Sequence, residues 1–124
     1  MSMNENEEVQ REVYKPGEYI FFEGDIDFHF YIVEAGQVSI FTKGQDGHKI
    51  HIAEVNGGES FGEFALLDRK PRSASAQAVV ETTVFKVSES GYERLLEELP
   101  VWASTMLKSF ATRLRKMNAV LAQI

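Results

Sequence analysis

Turn-forming residues punctuate the first part of this 124-residue chain and then stop. Gly17, Gly24-Asp25, Gly36, Asp46-Gly47 and Gly57-Gly58 separate short apolar runs, giving a turn signal about every eight to twelve residues. Several of these runs alternate. "QVSIFTK" sets Val38, Ile40 and Thr42 against Ser39, Phe41 and Lys43. "HKIHIAEV" alternates through Ile50 and Ile52 toward Val55, and "TTVFKV" is a plain strand pattern. Many short strands joined by tight turns form an antiparallel sandwich or barrel. A parallel α/β arrangement is disfavoured, because no helical segment lies between these strands. Tyr31, Phe41 and Phe61 are expected in the core.

After Val87 the period changes. "SESGYERLLEEL" starts on Ser88, a suitable N-cap, and places Tyr92, Leu95, Leu96 and Leu99 on one helical face. Pro100 interrupts the path and suits the opening of a second helix. Ala103, Leu107, Phe110, Leu114, Met117 and Leu121 then follow at alternating spacings of four and three, widened by Trp102, Met106 and Val120. This seam fits two arrangements, packing on the strands or pairing with a second copy as a homodimer. Lys108, Arg113, Arg115 and Lys116 read as a solvated face. The fold class is mainly β with C-terminal α. Residues 13–124 form one domain, with strands over 13–88 and helices over 89–124. Residues 1–12 are a polar lead-in, flexible or partly helical.

Composition excludes several function classes. A net charge of −6 argues against long nucleic acid as partner, and the absence of cysteine removes disulfide and thiolate chemistry. No apolar run approaches the roughly 18 residues of a membrane span, and the acidic start is no signal peptide. A cytoplasmic home is the expectation. His48 and His51 are three apart and point to opposite faces of a strand. With His29 they make a poor metal site, and none is expected. Ser73 and Ser75 lack the surroundings of a hydrolase nucleophile.

The stretch "GESFGEFALLDRKPRSASA", residues 58–76, carries the chemistry. Its glycines allow unusual backbone angles and close approach. "EFALL" reads as one short helical turn whose first amides lack intrahelical acceptors and favour an anion. Arg72 can grip two phosphate oxygens at once. Glu63 would repel a phosphate but would accept a hydrogen bond from a hydroxyl. A ligand with phosphate at one end and a ribose hydroxyl at the other answers both. The bland reading is a structural ion pair, Glu63 with Arg72 or each with Arg69 or Asp68, which would contribute roughly 0–1 kcal/mol on a surface.

"FGEFALLDRKPRSASA" resembles the phosphate-binding cassette of the cyclic nucleotide-binding domain family, and the preceding "PGEYIFFEGDIDFHFYIVEAGQVSIF" resembles its opening strands. The resemblance implies an eight-stranded, jelly-roll-like double-stranded β-roll followed by hinge and lid helices. It implies that Glu63 accepts from a ribose 2′-OH and that Arg72 pairs with a cyclic phosphate. The backbone amides of Gly62, Ala65 and Ser73 would help, beside Phe64 and Ala74. Phe110, Leu114, Met117 and Asn118 become lid candidates. The ligand would be cAMP, with Ser73 keeping cGMP in play, and no cofactor is needed.

One departure concerns the family's kinase regulatory subunits, which set an acid behind the arginine. The matching position here is Ser39, so Arg72 is expected to be oriented differently or to be more mobile. The chain ends without the helix-turn-helix of the transcription-factor branch, so no DNA-binding module is expected. The sequence therefore predicts a cyclic nucleotide sensor, not an enzyme, that signals through its last helix to an effector the sequence does not identify. The alternative is a protein-interaction or oligomerisation module whose roll no longer binds nucleotide; a metal-dependent cupin is a distant third.

Overall fold

The computed structural model of the chain describes residues 8–63, 65–66 and 69–122. Eight strands precede two helices: β1 (Val9–Tyr14), β2 (Tyr19–Phe21), β3 (His29–Ala35), β4 (Gln37–Lys43), β5 (Lys49–Asn56), β6 (Ser60–Phe61), β7 (Ser75–Ala78), β8 (Thr82–Ser88), α1 (Glu89–Glu97) and α2 (Val101–Ala122). They form two antiparallel four-stranded sheets, ordered β1-β8-β3-β6 and β2-β7-β4-β5. Successive strands β3 and β4 fall in different sheets, as do β7 and β8, so the chain rolls from one layer to the other. This is the β-roll with C-terminal helices that the sequence predicts.

Gly36 makes the β3–β4 corner possible. Its φ is +115°, and a Cβ there would lie 2.4 Å from Thr82 Oγ1, so both backbone angle and space demand glycine. Between the layers Phe21, Tyr31, Val33, Val38, Val55, Phe61, Ala76 and Val84 form the core. Tyr31 and Phe61 stack with centroids 5.2 Å apart, and Phe21 lies against both.

Three expectations are corrected. Residues 9–12 are not helical: they open β1, which pairs with β8 from Val9↔Val87 to Tyr14↔Thr82, and residues 1–7 of the expected lead-in lie outside the described residues. In β4 the pairing register with β5 shifts between Ile40 and Phe41. Such a bulge resets the inward–outward alternation, so Val38 and Phe41 are both buried. On β5, which is the edge of its sheet, Ile50 and Ile52 are exposed, and only Val55 reaches the core.

The helices start as expected. Ser88 Oγ accepts from the Gly91 amide at 3.0 Å, capping α1. The Pro100 carbonyl accepts from Ala103 and Ser104, so Pro100 sits just ahead of the first turn of α2. Among the described residues no helix is long and apolar enough to cross a membrane.

Candidate functional site

Arg72 is placed by backbone before its side chain acts. Its amide donates to the Asp25 carbonyl and its carbonyl accepts from the Gly24 amide, both at 2.8 Å. This ladder fastens the segment ahead of β7 to the Gly24-Asp25 turn. The turn is itself closed by Asp25 Oδ2, which accepts from the Phe22 amide at 2.9 Å. Ser75 Oγ accepts from the Glu23 amide at 2.8 Å and extends the join.

From this anchor the guanidinium runs into the protein. Its carbon lies 4.0 Å from the Phe21 ring centroid and 5.8 Å from that of Tyr31. Nη1 donates to the Gly62 carbonyl at 2.8 Å, and Nη2 donates to the His29 carbonyl at 2.6 Å. Nη2 also meets Asp27 Oδ2 at 3.1 Å, in an ion pair where the arginine side chain is 3% exposed and the aspartate 18%. Gly62 has φ +84°, and a Cβ on it would lie 2.8 Å from Nη1. The contacts to Gly62, His29 and Asp27 use three of the five N–H donors; of the rest, Nε is buried and has no hydrogen-bond partner.

Asp27 is held on both oxygens. His29 Nδ1 lies 2.6 Å from Oδ1, and the Tyr31 hydroxyl donates to Oδ2 at 3.2 Å. Burial works against its ionisation, but the His29 hydrogen bond and the Arg72 charge outweigh that and hold its carboxyl below the ordinary range. Burial, then the nearby Asp27 charge, pushes the Tyr31 hydroxyl up, so it stays a donor.

Glu63 occupies a different setting. It is half-buried, with a long 3.4 Å bond from Ser60 Oγ, and it forms no ion pair among the described residues. It lines a cavity of about 310 Å³ between the roll and α2, with Phe30, Ser60, Leu66, Tyr92, Leu107, Phe110, Ala111 and Leu114. The helical turn is present at Ala65 and Leu66, where Leu66 donates to the Glu63 carbonyl and Arg69 to that of Ala65, each at 3.1 Å.

The structure thus gathers Glu63, Phe110 and Leu114 on one cavity, and Gly62 with Arg72 on one buried contact. Ala65 and Ala74 are buried, Ser73 is exposed, and Met117 is exposed away from the cavity lining. Phe64 lies outside the described residues, as does the Asn118 side chain. Glu63 does not pair with Arg72, and Arg69 pairs with Glu89 instead. The expected orienting position also moves: Ser39 Oγ faces His51 Nδ1 at 3.4 Å, while the acid on Arg72 is Asp27. Sequence reasoning missed Asp27 because its partner is far along the chain. The only local trace is the "DFH" run, in which acid and histidine are two apart. The three histidines meet different partners, Asp27, Asp46 and Ser39, and no metal-binding group of side chains exists among the described residues.

Comparison with known proteins identifies the family and the fold. The family model of the cyclic nucleotide-binding domain matches residues 11–99. The chain is 37% identical over 109 residues to the cyclic AMP receptor protein of Thermus thermophilus, covering 88% of this chain and 50% of that protein. It is 42% identical over 80 residues to the cAMP-dependent protein kinase regulatory subunit of Emericella nidulans, covering 64% of this chain and 19% of that one. The solved structure of the Thermus thermophilus catabolite activator protein superposes with a TM-score of 0.76 at 36% identity, over 91% of this chain and 53% of the other. The chain therefore spans about half the length of the first relative, and less of the kinase subunit.

Proposed function

The chain belongs to the cyclic nucleotide-binding domain family, and from that premise we propose that it is a regulatory module that binds cAMP and is not a catalyst. The observation that carries this reading is the buried, unpartnered Nε of Arg72, beside a glycine that leaves space at the guanidinium. A buried donor without an acceptor is costly, and a cyclic phosphate oxygen supplies the acceptor and the countercharge. Glu63 then accepts from the ribose 2′-OH, and the amides of Gly62, Ala65 and Ser73 hold the remaining ribose and phosphate oxygens. Phe64 and Ala74 flank them. The Ser73 hydroxyl is exposed and free to meet a guanine, which keeps cGMP as a weaker ligand.

Signalling follows from α2. Leu107, Phe110 and Leu114 are exposed on the cavity that Glu63 also lines. A base placed there would cover them, so ligand favours the α2 position that closes on it. Met117 and Asn118 extend the lid. The rest of the exposed seam, with Trp102 and Met106, is offered to a second copy or to an effector protein.

One observation favours the rival reading, an interaction module without a ligand: the Arg72 guanidinium is buried and already faces an aspartate. Calorimetry separates the two. Under the proposal the protein releases or takes up heat with cAMP at micromolar to millimolar level, more weakly with cGMP, and Arg72→Ala abolishes it. No heat and no thermal shift with either nucleotide would leave the interaction module standing. Equal binding by Arg72→Ala would overturn the site.

A further inference from the structure

We propose that Ser60 is the positioning residue of Glu63, and that its hydroxyl sharpens the preference for a ribose over a deoxyribose ligand. This role rests on reading Glu63 as the acceptor of the ribose 2′-OH. Ser60 Oγ donates to Glu63 Oε2 at 3.4 Å. Among the described residues this is the only hydrogen bond that either side chain makes. Both residues line the cavity whose far wall is α2. Side chains alternate along a strand. On β6 Phe61 takes the core side, where it is buried, and Ser60 faces the cavity side, exposed. Gly62 then turns the chain at a φ of +84°, and Glu63 comes back within reach of Ser60.

The two groups differ in how they are held. Ser60 pairs with Ile32 on β3, and the Glu59 carbonyl beside it accepts from the Val33 amide at 2.9 Å. The serine backbone is thus fixed to the core sheet. Glu63 lies beyond the strand, and its side chain has several free torsions whose ordering on binding costs affinity. A donor at Oε2 removes part of that cost before ligand arrives and leaves Oε1 for the ribose hydroxyl. A hydrogen bond to a carboxylate is a strong one, and such bonds are often long in a ligand-free site and tighten when the site fills. Serine suits the place: its hydroxyl supplies the donor, and its small size keeps the cavity open beside Phe30, Leu66 and Phe110.

Calorimetry with cAMP and with its 2′-deoxy analogue isolates this role. Wild type is expected to favour cAMP by roughly 10-fold. Ser60→Ala is expected to weaken cAMP roughly 5-fold and to leave the deoxy analogue unchanged, because only the 2′-OH contact uses Glu63. Ser60→Thr, which keeps the hydroxyl, is expected to restore the preference. In a Glu63→Ala background, Ser60→Ala is expected to add nothing further, since the two residues act as one unit. Without nucleotide, the ¹³C resonance of the Glu63 carboxylate is expected to move in Ser60→Ala and to return in Ser60→Thr, while the backbone amide spectrum holds. Equal weakening of both nucleotides in Ser60→Ala, an undiminished preference for cAMP, or an unmoved carboxylate resonance would overturn the role of Ser60 and leave that of Glu63 standing. If wild type binds neither nucleotide, or binds both equally, the reading of Glu63 fails, and the role of Ser60 with it.

Discussion

Arg72 and Glu63 stand nine residues apart in one segment, yet their surroundings are opposite. Arg72 is held in place without a ligand, Nε apart: three acceptors and two rings surround it, and its backbone is zipped to the Gly24-Asp25 turn. Glu63 is unfinished. It faces a cavity whose far wall is α2, and the apolar residues on that wall remain half in solvent. Under the proposed function, the difference separates two jobs. A preorganised charge lowers the ordering cost of binding, while an open, underpacked wall is the part whose position ligand can bias.

The largest expected break in this comparison is Arg72→Ala against Glu63→Gln. Under the proposed function, removing the arginine strips phosphate recognition; it also leaves Asp27 without that cation. Expected are at least a roughly 100-fold loss of cAMP affinity and a stability loss of up to about 3 kcal/mol, by calorimetry and urea melts. Glu63→Gln is expected to weaken cAMP about 10-fold with an unmoved melt, since little in the free protein depends on its charge. Equal stability losses in both variants would erase the contrast.

Gly62→Ala comes next. The new Cβ has to share space with Arg72 Nη1 at a φ of +84°. Destabilisation of about 1–3 kcal/mol is expected, with weaker binding because the guanidinium is displaced. A melt identical to wild type would mean that the contact relaxes freely.

Phe110→Ala with Leu114→Ala sharpens the other side. Both residues are about half exposed, so the ligand-free stability is expected to stay within about 0.5 kcal/mol of wild type. The extra stabilisation given by saturating cAMP is expected to shrink. If the free protein loses stability instead, α2 already packs as a fixed wall.

The smallest effect is a pH dependence. The folded-state pKa of Asp27 lies below its unfolded value, through the His29 bond and the Arg72 charge that overcome its burial. Its contribution is therefore full above the unfolded pKa and is lost as pH falls through the folded one. The gap in melting temperature between wild type and Asp27→Asn is expected to be constant near neutrality and to close in acid. A gap that persists at low pH would show that the charge is not its source.

Much of this was legible along the chain. Turn residues and alternation located most of the strands, Ser88 and Pro100 marked the helix starts, and the cassette resemblance singled out Glu63 and Arg72 as candidates. β1 was not legible, because its mixed polar sequence, VQREVY, forms a strand only by pairing with β8. Phe41 was expected in the core and is buried, but the bulge that puts it on the same side as Val38 was not legible, because a bulge shows only when two strands are aligned. The exposure of Ile50 and Ile52 depends on β5 being an edge, which is a property of the sheet and not of the strand.

The sequence by itself determined the roll, the helical tail and the chemical identity of the segment from Gly58 to Ala76, since each depends on local periodicity, turn geometry or adjacent residues. Only the tertiary structure decided what faces Arg72. Charge pairing acts through space, and Asp27 meets the guanidinium because folding brings the β2–β3 connection against the segment before β7. It also decided that Glu63 and α2 share an unfilled cavity, because packing between distant elements has no period that one chain can display.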